Sequence, residues 1–136
     1  MLEAYSLNTS VLANGTIPFN SVALEKGCTT ELEGTSTIEL NKCGIYEIVF
    51  NATATPTVTG TVTVQMTKNG VVQPQATRTI TGATTTASVN TPITTLVQVS
   101  ENNTSCCCTK PTTIQFISSG NGLNIANTNV VVTKIC

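Results

Sequence analysis

The chain has 136 residues, a net charge of −1 and only 10% charged residues, with no His, no Asp and no Trp. Most hydrolytic and transfer enzymes place a His or a carboxylate pair where protons move near neutral pH, so this composition argues against catalysis. The charge balance carries no footprint for nucleic acid, and no stretch approaches the roughly 18–20 apolar residues that span a bilayer.

The length fits one domain with a full core. Thr, Val and Ile dominate, which suits pleated strands and disfavours helices. Residues 1–16 show no strong strand pattern and read as an N-terminal arm or docking segment. They also lack the basic and apolar regions of a secretory signal. Residues 17–136 read as a single β domain.

Strands follow in chain order. Ile17–Leu24 is the first, with Pro18 near its edge, and Ser36–Leu40 the second. After a turn at Asn41–Gly44, Ile45–Ala52 is a central strand. Thr61–Met66 leads into Lys68-Asn69-Gly70, whose Asn-Gly pair accepts the positive φ angles of a tight hairpin turn. Val71–Ile80 pairs back. Gly82–Thr86 is a loop and Ser88–Asn90 a weak extended piece. Ile93–Val99 is a strong strand, and Asn102–Lys110 a polar loop with three cysteines. Thr112–Ile117, Leu123–Ala126 and Asn129–Ile135 complete the chain, with a turn at Gly120–Gly122. Eight to ten short strands at this spacing predict an all-β antiparallel sandwich or jelly roll.

The segment Ile38–Phe50, containing Gly44-Ile45-Tyr46, resembles the strand–Gly-x-Tyr–strand element of C1q/TNF-like jelly rolls. Val62–Gly70 resembles that family's strand entering an Asn-Gly hairpin, and Asn129–Ile135 its closing strand. Low charge and Thr-rich strands are similar to small virion proteins of Gram-positive phages and prophages. The resemblance implies a homotrimer whose inner sheets meet on a threefold axis, with Tyr46 as a candidate to stack there; plain core packing is the alternative for Tyr46.

The cysteines are Cys28, Cys43, Cys106, Cys107, Cys108 and Cys136. Their even number favours disulfide staples, with connectivity open. A thiolate metal site lacks the usual paired spacing, and reduced thiols are the third reading. A catalytic thiol has no His to activate it. The strand order implied by the resemblance gathers Cys43, Cys136 and the Cys106–Cys108 triple at one end.

Glu31, Glu33, Glu39 and Glu47 contain a conceivable carboxylate pair, but alternation makes them solvent-facing strand residues. Arg78 is a candidate for an intersubunit ion pair or a polar strand face. Gly120–Gly122 is a turn and not a phosphate loop. The expectation is a non-enzymatic trimeric virion protein, in head decoration or a head fibre, without cofactor or metal. It is made in a host cytoplasm and contacts a major capsid protein or other virion proteins. The alternatives are a receptor-binding fibre tip for host glycans and a spore or cell-surface C1q-like head.

Overall fold

The computed structural model describes residues 1–99 and 111–136. The polar loop expected at Asn102–Lys110, including Cys106, Cys107 and Cys108, lies outside the described residues.

The described chain is all β, with eleven strands: β1 (Leu2–Val11), β2 (Ser21–Glu25), β3 (Thr30–Glu33), β4 (Thr37–Leu40), β5 (Gly44–Pro56), β6 (Gly60–Lys68), β7 (Val71–Ala83), β8 (Val89–Asn90), β9 (Ile93–Val99), β10 (Thr112–Ser119) and β11 (Leu123–Lys134). Two antiparallel sheets form a jelly-roll sandwich. One runs β2-β1-β11-β5, and the far edge of β5 is shared. β9 pairs with its first half and β8 with its second. The other sheet runs β3-β4-β10-β6-β7. The first long strand therefore lies beside the last, as Leu2 pairs with Val132 and Val11 with Leu123.

Period-2 alternation decides what is buried. Along β5, Tyr46, Ile48, Phe50, Ala52 and Ala54 point inward, and β10 contributes Ile114 and Phe116 from the opposite sheet. Phe50 and Phe116 stack at 4.1 Å, and Phe19 meets both edge-on at 6.3 Å. These three rings hold the two sheets together at the middle of the sandwich.

Three sequence expectations change. Residues 1–16 are not a separate arm, because Leu2–Val11 is a strand inside the six-stranded sheet, flanked by β2 and β11. The first expected strand is split. Ile17 and Phe19 are buried in an irregular stretch around Pro18, and regular pairing begins at Ser21. The Ile17 amide still bonds the Phe116 carbonyl at 2.7 Å, while Pro18 has no N–H to continue a ladder. The two closing pieces are one strand, β11, with a register shift between Ile125 and Asn127. That bulge leaves Ala126 unpaired on an otherwise continuous ladder.

The Asn-Gly hairpin forms as its residues require. Asn69 and Gly70 adopt φ of 51° and 83°. Asn69 also clamps β10, as its Oδ1 accepts from the Thr113 amide at 2.9 Å.

Candidate functional site

The outer face of the six-stranded sheet is built from the residues that alternate away from the core. Cross-strand register sets them in rows. Glu3, Val131, Val49 and Thr94 form one row, and Tyr5, Asn129 and Asn51 the next. Leu7, Asn127, Thr53 and Asn90 form a third, and Thr133, Glu47 and Leu96 a fourth on the other side. Leu7 and Leu96 are more than half exposed, at 54% and 56%. Val49 is exposed on β5 between β11 and β9, and Leu24, opposite Glu3, is exposed on edge strand β2.

These four rows carry two formal charges, Glu3 and Glu47, and no base. Glu3 is partly occupied already, as Asn129 Nδ2 donates to its Oε1 at 3.1 Å. Thr53 Oγ1 likewise donates to Asn90 Oδ1 at 2.9 Å. Two side-chain pairs are thus tied laterally within the face, and the aliphatic groups remain open between them. A surface with few charges and open aliphatic groups gains apolar burial when covered, which is the chemistry of a protein–protein contact.

Tyr46 does not belong to this face. It is fully buried, and its hydroxyl donates to the Lys42 carbonyl at 2.6 Å and accepts from the Lys42 amide at 3.3 Å. The strand starts at Gly44, so its phase sends Ile45 and Glu47 outward and Tyr46 inward. The candidate role of Tyr46 at a threefold axis is replaced by closing the Asn41–Gly44 turn over the core.

The structure brings Cys43 and Cys136 to one end of the six-stranded sheet. The Cys136 amide reaches the Ile45 carbonyl at 3.4 Å, and the Ile45 amide reaches the Cys136 carbonyl at 3.3 Å. Gly44, next to Cys43, pairs with Val99 at the end of β9. Cys28 precedes Thr29, whose carbonyl accepts from the Asn41 amide at 2.8 Å. No bridge joins Cys28, Cys43 and Cys136 to one another. Among the described residues, no cluster of three metal-ligating side chains is present, and no helix is long and apolar enough to cross a membrane.

The carboxylates separate into two places. Glu47 is on the outer face described above. Glu31, Glu33 and Glu39 share the solvent side of the β3–β4 hairpin, at the edge of the five-stranded sheet, where Glu31 sits directly across from Glu39. Sequence reading missed β3 as a strand, and with it this grouping. Hydrogen bonding to Glu33, partial burial and the nearby charges of Glu33 and Glu31 push the Glu39 carboxyl up to about 7. A carboxyl raised in the folded state favours its neutral form. Its contribution to stability is present below its ordinary value of 4.5 and is lost as pH rises through about 7. We therefore expect the melting temperature to fall across that window. Glu39→Gln keeps a neutral donor and should flatten the slope, as thermal melts on either side of the window would show; an unchanged slope would contradict this origin.

Arg78 is exposed on β7, away from the six-stranded sheet, so it does not serve the outer face. Gly120 turns the chain at φ 90° where it crosses from β10 in one sheet to β11 in the other.

No family model and no curated protein sequence matches the chain. Solved structures do. Murine APRIL at pH 5.0 aligns with a TM-score of 0.71 and 9% identity over 98% of both chains. The phage PRD1 vertex protein P5 aligns at 0.63 and 17% identity, over 99% of this chain and 96% of that one. The globular domain of zebrafish complement 1qA aligns at 0.65 and 10% identity, over 95% and 92%. The likeness spans animal and phage proteins alike, and does not support the narrower expectation of a Gram-positive phage branch. At these identities what is shared is the fold: the chain is an antiparallel jelly roll of the C1q/TNF type.

Proposed function

We propose that the protein is a non-enzymatic structural module that works as a homotrimer in a phage-type particle, with the outer face of the six-stranded sheet as the subunit contact. The observation that carries this reading is that face itself, with Leu7, Val49 and Leu96 exposed on rows that hold only two formal charges. Three copies meeting there would cover apolar area that a lone chain leaves in water. The likeness to a phage vertex protein supports a place in a virion, in head decoration or a head fibre. The absence of His and Asp from the sequence supports a role without turnover. A receptor-binding tip for glycans is less well supported, because stacking platforms are scarce at 4% aromatic residues.

Light scattering on the purified chain at micromolar concentration tests the reading. The expected mass is three times the 14.2 kDa of one chain. A monomer that persists on concentration would overturn it.

A further inference from the structure

One surface patch is unrelated to the assembly face and carries reactive chemistry of its own. On the solvent side of the five-stranded sheet, Gln115 Nε2 of β10 donates to Thr37 Oγ1 of β4 at 2.8 Å, in a partly buried contact between residues 78 apart in sequence. Glu33 of β3 lies directly across the ladder from Thr37. Glu39 is two residues along β4 from Thr37 and therefore on the same face. The register places Thr113 opposite Glu39. A hydroxyl, a carboxamide and two carboxylates thus occupy neighbouring positions on three adjacent strands.

We propose that Thr37 and Gln115 are joined by an intramolecular ester cross-link, formed by the folded chain itself. The components match those of acyl transfer, with a nucleophile, an acyl carbon and groups to move protons. The Thr37 hydroxyl is already in contact with the Gln115 carboxamide through Nε2, and a turn of the carboxamide presents the face of Cδ to its oxygen. The Glu33 carboxylate takes the hydroxyl proton as Thr37 Oγ1 bonds to Gln115 Cδ. The resulting tetrahedral centre collapses when Nε2 receives a proton from Glu39. The Cδ–Nε2 bond breaks, and one ammonia leaves. The proton taken by Glu33 returns to Glu39 through the hydrogen bond between the two carboxyls. One O–H and one C–N bond are exchanged for one C–O ester bond and one N–H bond of ammonia, with no oxidant or cofactor.

The pairing of acid and base is supported by the environment. Two carboxyls that share a hydrogen bond hold one proton between them near neutrality, which supplies an acid and a base side by side. The raised titration of Glu39, caused first by its bond to Glu33, agrees with that arrangement. The position also gives the link a mechanical use. β4 is held to β10 by only three ladder pairs, ending at Ile38 with Ile114. A covalent bond one step further along would fasten the edge hairpin, β3 with β4, to the body of the sheet.

Mass spectrometry of the full chain, purified folded and then denatured, tests this. The expected result is an intact mass lower than that of the sequence by one ammonia. Peptide mapping should give one branched species that joins Thr37 to Gln115. Thr37→Val should restore the sequence mass, and Glu33→Gln should lose the link while keeping the β-sheet circular dichroism of the parent. An intact mass equal to that of the sequence overturns the proposal. So does an ammonia loss that maps to a succinimide at Asn14-Gly15, Asn69-Gly70 or Asn121-Gly122.

Discussion

Phe116→Ala is expected to lower the unfolding free energy by about 3–5 kcal/mol, the cost of removing a buried aromatic ring and leaving a partly unfilled cavity. Phe116 has no exposed surface. It stacks on Phe50 of the opposite sheet at 4.1 Å and meets the edge of Phe19 at 6.3 Å. Truncation therefore removes at once the ring contact between the two sheets and the contact of β10 with the irregular stretch at Phe19. Denaturant unfolding at matched protein concentration reads the effect, since any subunit association also contributes to apparent stability. A loss below about 1 kcal/mol would mean that the sandwich closes around the cavity, and that the ring cluster is not what joins the sheets.

Gly44→Ala is the second large expected effect, at about 2–4 kcal/mol, and its cause is different. Gly44 has φ of 142°, and a Cβ there would stand 2.2 Å from the Cys136 carbonyl oxygen and 2.6 Å from Lys134 Cε. The added methyl has to push the chain end away from β5. That breaks the short ladder in which Ile45 exchanges hydrogen bonds with Ile135 and Cys136. Gly120→Ala is the matched control. It also has positive φ, at 90°, but an added Cβ meets nothing within 4 Å. Its cost should be about 1 kcal/mol, from backbone strain alone. Equal losses for the two variants would show that crowding at the chain end contributes nothing.

The strongest alternating segments were legible before any coordinates. Ile93–Val99 is β9 to the residue, and the Asn69-Gly70 turn follows from its composition. β1 was not legible because its inward positions are disguised. Leu2 and Ala4 are followed by Ser6, which is buried although polar. Ser6 is accommodated by Thr9 Oγ1 at 2.8 Å and by Asn20 Nδ2 at 2.9 Å, partners that no local pattern announces. β3 was hidden by its brevity; the alternation around Leu32 marked Glu31 and Glu33 as solvent-facing strand residues, but their grouping with Glu39 comes only from the pairing with β4.

The outer face of the six-stranded sheet was legible only in part. Val49, Asn51 and Thr53 alternate as any half-solvated strand does, and their significance appears when β11 and β1 set Val131 and Tyr5 beside them. The inward turn of Tyr46 depends on the strand beginning at Gly44, a boundary that periodicity alone does not fix. The meeting of Cys43 and Cys136 needs the long-range pairing of β5 with β11. It was implied by the family strand order and not by the spacing of the cysteines.

The solution mass of Val49→Glu is the most direct test of the outer face as a subunit contact. Val49 is exposed on β5, an inner strand, in register with Val131 and Thr94. A carboxylate there adds to Glu3 and Glu47 with no base in the four described rows to neutralise it, and a buried unpaired charge is strongly unfavourable in an interface. With the β-sheet circular dichroism of the parent retained, light scattering should give the mass of one 14.2 kDa chain for the variant and three for the parent. A variant that remains trimeric would contradict assembly through this face.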